Sequence, residues 1–346
     1  MHEARVLVVD DSAAMRALFS DILDQAKNVT VVGTARNADD AREQIAELKP
    51  NVITLDVEMP GMSGIEFLEE IMETDPRPVD MLSSLTQAGT EISLRAIELG
   101  AVDCFPKPLK ATPEQFAKSV GKLGKIVLAA ANSNVRDRRA RGDAKSGPKS
   151  GDAPFEWNGH IAAFSASMGG IDALTTMLAQ FSANCPPTLV CLQAEPMVVD
   201  TFVRRLDAML KCHVHQAKDG ASLVQGTIHI AADPDHHVVV EPGQPPRLRL
   251  MARDPVDGAR PSANLLFGSI ARGAIPAVGA VLTGMGSDGA RGMRLLREGG
   301  AITFVQDRKT ALVSEAPEAV IALDAASKEV PLAEIGAAVL AGCAIG

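Results

Sequence analysis

Twice along this 346-residue chain, short apolar runs of strand length alternate with amphipathic helical patterns, and a polar stretch separates the two series. A strand followed by a helix and then another strand closes most simply into a parallel sheet with helices on its faces. In the first series Arg5–Asp10 is a continuous β-branched run. Met15, Leu18, Phe19, Ile22 and Leu23 then recur at the i, i+3, i+4, i+7 spacing of a helix over 13–26. Val29–Val32, Asn51–Leu55, Asp80–Ser83 and Val102–Phe105 read as further strands. The second series opens with a strand at Ile161–Phe164, a Gly-Gly turn, and a helix carrying Ile171, Leu174, Met177, Leu178 and Phe181 on one face. Thr188–Leu192 and Ala277–Leu282 are buried-strand candidates. No internal repeat is evident. The fold class expected is α/β, with two doubly wound parallel-sheet domains at 1–125 and 158–346.

Between them, residues 131–157 hold Arg136, Arg138, Arg139, Arg141, Lys145 and Lys149 among Gly, Ser, Asp and Pro, with little to bury. We expect a flexible linker spanning 126–157. A basic nucleic-acid patch is disfavoured, because the chain carries a net charge of −9, has no Tyr and is only 3% aromatic. The five cysteines form no CxxC pair, so buried thiols in a reducing compartment are expected. The apolar run Val6–Val9 ends in two aspartates, unlike a signal peptide, and no run has the roughly 20 apolar residues of a membrane span. A cytoplasmic location and no membrane insertion follow.

Asp10 and Asp11 close the first strand and Asp56 closes the third. Open parallel sheets bind ligands at the carboxyl ends of their strands, where the winding reverses. Three carboxylates gathered there repel one another unless a cation joins them, and a hard, oxygen-seeking Mg²⁺ suits the cluster. With the metal present, one carboxylate can attack a phosphoryl donor. A hydroxyl (Ser83) and a cation (Lys107) stand at two further strand ends. Asp11 or Ser12 alone could equally be a helix cap. Ser167 follows a strand and precedes a Gly-Gly helix start, so first-turn N–H groups face whatever reacts there. Taken alone, a Ser/Gly turn that starts a helix accounts for it as well.

The first hundred or so residues resemble the receiver domain of bacterial response regulators. The matching pieces are Val-Leu-Val-Val-Asp10-Asp11-Ser12, Leu-Asp56-Val-Glu-Met-Pro60-Gly-Met-Ser-Gly64, Ser83-Ser84-Leu-Thr and Phe-Pro-Lys107-Pro108. The resemblance implies a flavodoxin-like fold and makes Asp56 the phosphoacceptor. Asp10 and Asp11 would hold Mg²⁺ together with Asp56 and the Glu58 carbonyl. Ser83 would be the switch hydroxyl, and Lys107 would contact the phosphoryl group.

The rest extends the resemblance across nearly the whole chain. Ser-x-Ser167-x-Gly-Gly, Asn184-Cys-Pro-Pro187, Asp254-Pro-Val-Asp-Gly-Ala-Arg-Pro-Ser262 and Leu-Thr-Gly-Met-Gly-x-Asp288-Gly-Ala resemble CheB, the chemotaxis protein-glutamate methylesterases. That family implies a Rossmann-like Ser-His-Asp esterase, released from inhibition by receiver phosphorylation, that demethylates receptor glutamates and in many members deamidates glutamines. It also implies a sensor histidine kinase of the CheA type and methyl-accepting chemoreceptors as partners. By position Ser167 is the nucleophile and Asp288 the acid, with Met168 and Met285 as oxyanion N–H donors.

The histidine is missing. The family places it nine residues before the Phe of a Phe-x-x-Arg-Leu helix, which here is Phe202-Val-Arg-Arg-Leu206, and that position reads Gln193. A register shifted by one puts Ala194 there. A second family histidine reads Ala259, and the Phe-Gly-Met-Pro lid segment reads Ser314-Glu315-Ala316-Pro317. An amide can hold a hydroxyl but cannot take its proton. Loss of a triad histidine costs about 10⁶ in turnover, or about 8 kcal/mol of barrier. His213 and His215 alternate on one strand, and His229, His236 and His237 flank another; all are expected away from Ser167 as surface or core residues. Glu195 is the remaining candidate base. The sequence therefore leaves two readings: an esterase that recruits another base, or a catalytically silent phospho-switch that binds receptors or titrates the kinase. A DNA-binding regulator is disfavoured by charge and by the lack of a helix-turn-helix pattern.

Overall fold

A computed structural model describes residues 3–83, 87–107, 113–135 and 155–345, which fall into two compact units, 1–139 and 140–346. The first unit runs β1 (Ala4–Val9), α1 (Ala13–Asp24), β2 (Val29–Ala35), α2 (Ala38–Leu48), β3 (Val52–Asp56), α3 (Gly64–Thr74), β4 (Val79–Ser83), α4 (Gln87–Leu99), β5 (Asp103–Pro106) and α5 (Pro113–Ala131). The strands form one parallel sheet in the order β2-β1-β3-β4-β5. The chain thus winds outward on both sides of β1, and the reversal lies between β1 and β3.

Local chemistry sets the elements. β3 and β4 are sealed on both faces, so β3 reads as a largely apolar run rather than an alternating one, while β4 buries Asp80 among its apolar residues. Phe19, Ile22 and Leu23 bury the inner stripe of α1, whose first turn is capped by Ser12 Oγ accepting from Met15 N at 3.4 Å. A capping box joins Ser63 and Glu66 at the start of α3. Gly64, the first residue of that helix, must be glycine, because a Cβ would collide with the Asp56 carbonyl.

α5 passes through the expected domain boundary at 125. Leu123, Ile126, Val127 and Ala130 recur at helical spacing and are all buried, so the helix continues to Ala131 because it has an apolar face to cover. Residues 136–154 of the expected linker lie outside the described residues. Residues 155–157 belong to the second unit: Asn184 Nδ2 donates to Phe155 O at 2.9 Å, and Trp157 pairs with Ala344.

The second unit continues with β6 (Ile161–Ala166), α6 (Gly170–Leu178), β7 (Thr188–Leu192), α7 (Pro196–Met209), β8 (His213–Gln216), β9 (Thr227–Ala231), β10 (His237–Glu241), β11 (Arg247–Met251), α8 (Ala263–Arg272), β12 (Ala277–Val281), α9 (Ala290–Glu298), β13 (Ile302–Gln306), α10 (Glu315–Ala322), β14 (Lys328–Val330) and α11 (Leu332–Gly342). Seven parallel strands order as β14-β13-β12-β6-β7-β9-β8, and β10 and β11 form a separate antiparallel hairpin. The winding reverses at β6, which lies between β12 and β7. Leu189 and Cys191 of β7, Phe267 of α8, Val281 of β12 and Met293 of α9 belong to the core on one face of that sheet. All five cysteines are buried and unpaired. Among the described residues no helix is long and apolar enough to cross a membrane.

Candidate functional site

Two sites form, each at a strand-order reversal. In the first unit Asp10, at the end of β1, is fully buried, and Asp56, at the end of β3, is nearly so. Carboxylate oxygens of Asp10, Asp11 and Asp56 lie within 4.8 Å of one another, while Asp11 is exposed. Lys107 Nζ stands 2.7 Å from Asp56 Oδ2 and 2.9 Å from Asp10 Oδ2. Asp10 Oδ2 is buried, and the Lys107 ammonium is its charged neighbour. Ser12 N donates to Asp10 Oδ1 at 2.9 Å and Glu58 N to Asp56 Oδ1 at 3.2 Å, which fix the two carboxylates. Ser83 is buried at the end of β4; its hydroxyl accepts from Ser93 Oγ at 3.4 Å and its carbonyl from Lys107 N at 2.9 Å.

Burial raises the Asp56 carboxyl above its ordinary range, opposed by Lys107 and reinforced by the Asp10 charge. Burial alone would lower Lys107, but Asp56 and Asp10 outweigh it and leave the ammonium raised. One ammonium thus faces three carboxylates. The surplus of negative oxygen donors, gathered within 4.8 Å of one another, fits a small hard cation such as Mg²⁺.

In the second unit Ser167 follows β6, Gln193 follows β7, and Gly284, Met285 and Asp288 follow β12. Ser167 N donates to Thr283 O at 3.1 Å, and its hydroxyl accepts from Met285 N at 2.9 Å. Gly284 is required there, since a Cβ would fall onto Ser167 Oγ. Met168 is buried, and its carbonyl accepts from Thr283 Oγ1 at 3.0 Å.

Asp288 is saturated. Its carboxylate accepts from Ser262 Oγ at 2.8 Å, Ala263 N at 2.7 Å, Asn264 N at 3.1 Å and Gln193 Nε2 at 2.9 Å. Two of these donors are first-turn amides of α8, so Asp288 caps a helix it does not belong to, with its charge at the positive end of the dipole. Gln193 Nε2 also donates to Pro261 O at 3.2 Å. Both amide hydrogens are therefore committed, and only Oε1, an acceptor of negligible basicity, is left for a neighbour. Gln193 N donates to Ala166 O at 3.0 Å, which ties the end of β7 to the residue before Ser167.

His237 is a core residue, one of the two outcomes expected of the histidines; it is fully buried, with Nε2 meeting Asp254 O at 3.0 Å and Nδ1 accepting from Ser262 N at 3.1 Å. It supports the Pro261–Ser262 turn that holds Gln193 and Asp288. With both nitrogens engaged it cannot serve as a base. The approach depends on how β10 folds back over α8, which strand spacing does not reveal. His213 and His215 are exposed on β8, and His236 Nδ1 pairs with Asp233 at 2.7 Å. The Ser314–Pro317 segment starts α10, where Glu315 Oε2 accepts from Gly286 N at 2.9 Å and Ala316 N donates to Gly284 O at 3.0 Å. Ser262, Thr283 and Glu315 were not assigned roles from sequence, although each lies in a string that the sequence offered: Arg-Pro-Ser262, Leu-Thr283-Gly-Met and Ser314-Glu315-Ala-Pro.

A family model described as CheB methylesterase matches residues 162–339, and one described as response regulator receiver domain matches residues 6–119. A protein-glutamate methylesterase/protein-glutamine glutaminase of Agrobacterium fabrum is 43% identical, covering 97% of this chain and 96% of its own length. A protein of the same name, numbered 1, from Caulobacter vibrioides is 41% identical, covering 98% of both. The Thermotoga maritima CheB methylesterase catalytic domain superposes with a TM-score of 0.51 at 24% identity, covering 53% of this chain and 98% of that one, and so supports the fold.

Proposed function

Because the chain belongs to the CheB family, with its receiver and methylesterase domains in one polypeptide, we propose that it is a phosphorylation-controlled chemotaxis regulator whose serine site binds receptor side chains without triad hydrolysis. A phosphodonor kinase and chemoreceptors are its partners in general terms. We assign the kinase to the CheA type, the receptors to the methyl-accepting class, and the location to the cytoplasm.

In the receiver, a carboxylate oxygen of Asp56 attacks the phosphoryl group and the donor departs, leaving an acyl phosphate. Lys107, already 2.7 Å from Asp56 Oδ2, pairs with the arriving phosphoryl oxygens, and Ser83 supplies the switch hydroxyl. Asp10, Asp11, Asp56 and the Glu58 carbonyl would hold Mg²⁺, which supplies charge neutralisation at the transferring group.

At the serine site, Ser167 is the nucleophile position, Met168 and Met285 the oxyanion donors and Asp288 the acid. The observation that carries the silent reading is the 2.9 Å bond from Gln193 Nε2 to Asp288 Oδ2. The amide occupies the place from which a histidine would receive the serine proton, makes the histidine's bond to the acid, and offers nothing basic in return. Methanol release from methylated receptor tests this. Wild type should stay at background, Ser167→Ala should change nothing, and Gln193→His should raise release, with Ser167→Ala abolishing the gain. Ordinary enzyme rates in wild type, lost on Ser167→Ala, would overturn the silent reading.

A further inference from the structure

Three of the seven histidines, His213, His215 and His229, lie on the adjacent strands β8 and β9. His215 and His229 are register partners in that parallel pair, and His213, two residues along, shares their face of the sheet. The rings form a row: His213 to His215, stacked, with centroids 6.2 Å apart, then His215 to His229, tilted, at 6.2 Å. The row runs from solvent inward. His213 and His215 are exposed on the edge strand, whereas His229 is 6% exposed.

Neither ring nitrogen of His229 has a partner at full hydrogen-bond geometry among the described residues, and the Ser222 backbone is the polar neighbour that acts on the ring. Buried polar atoms are almost always satisfied, and an exception calls for a ligand, an ion or a water. His237, also buried, has both nitrogens filled. Burial, and then the neighbouring His215, hold His229 below the ordinary histidine pKa, which favours the uncharged ring that binds metal.

We propose that His213, His215 and His229 form a site for a first-row divalent transition-metal ion of the zinc, copper or nickel type, with His229 as the inner ligand. Neutral imidazole suits these ions, while Mg²⁺ prefers the oxygens of the acidic cluster. That acidic cluster is the one group of three whose ligand atoms already converge among the described residues. The histidine rings must turn to close on an ion. Zn–N bonds of about 2.0–2.1 Å at tetrahedral angles bring two imidazole centroids to roughly 5 Å, so His213–His215 and His215–His229 each have about 1 Å to close, and the His213 ring must also swing toward His229. Side-chain rotation of the exposed His213 and His215 supplies that movement, with no change to the buried ring. The ion would tie the edge strand β8 to β9, remote from Ser167 in strand order. The inference does not depend on how the serine site works.

The test uses the full chain with saturating Mg²⁺, so that the acidic cluster is occupied. Calorimetric titration with Zn²⁺ should show one saturable equivalent. His215→Ala, a surface change that leaves folding intact, and separately His229→Asn should each weaken it at least tenfold, while Asp56→Asn leaves it unchanged. Electron paramagnetic resonance of the Cu²⁺ form should show imidazole nitrogen couplings. No saturable Zn²⁺ equivalent, unchanged affinity in His215→Ala, or a Cu²⁺ spectrum without nitrogen couplings would each overturn the site.

Discussion

In the proposed silent reading, Gln193 is the residue that withholds a base from the serine site. Gln193 reproduces the donor side of a histidine, down to the bond with Asp288, and lacks only the basic nitrogen. The receiver has no such lesion. With Mg²⁺ and a small phosphodonor, the protein should gain one acid-labile phosphoryl group, read by mass or by ³²P label. Asp56→Asn should remove it, and undiminished labelling of that variant would displace Asp56 from its role. The Asn variant should also be the more stable apoprotein at neutral pH, because the raised Asp56 carboxyl is favoured by the fold only while protonated.

At the scale of elements, β4 carries an oddity. Asp80 is fully buried between Thr54 of β3 and Asp103 of β5, and neither of its oxygens has a hydrogen-bond partner among the described residues. Burial, then the Asp103 charge, raises its carboxyl well above the ordinary range. A raised folded-state pKa means stability that is full below the unfolded-state value and lost as pH rises through the folded one. Asp80→Val should therefore raise the urea midpoint of the first unit at pH 8, by about 1–3 kcal/mol in stability, and flatten its decline with pH. A destabilised Val variant would show that the carboxyl has a partner the sheet needs. In the second unit, Asp288 caps α8 from outside. Asp288→Ala should cost about 1–3 kcal/mol whether or not the protein hydrolyses anything. Thermal unfolding that leaves the second unit's midpoint unmoved would contradict that structural role.

For the whole molecule, the proposed regulation makes the receiver the control and the serine site the output. In the Gln193→His background, phosphodonor plus Mg²⁺ should raise methanol release several-fold above the unphosphorylated rate, and adding Asp56→Asn should remove the rise. Equal release in both backgrounds would mean that the two units work independently. The partial recovery expected of Gln193→His reflects the other departures near the site, since about 1 Å of misplacement can lose roughly a hundredfold.

How much of this was legible in advance depends on where each signal is stored. β3 and β7 could be read off the chain because a strand buried on both faces must be a continuous apolar run. The acidic cluster was legible because strand ends in a parallel sheet are forced to one edge. Gln193 was legible because it lies at a fixed distance from Phe202. The domain boundary expected at 125 falls inside α5, because Ile126, Val127 and Ala130 carry its apolar face onward into the start of the polar stretch. Three things belonged to tertiary structure alone: Asp288 as the cap of α8, His237 behind Ser262, and the row of rings ending in His229. Each joins residues from segments that sequence spacing does not relate, and their meeting is fixed by strand order and packing. Residue types set which chemistry the chain could carry; only the fold decided which side chains would meet.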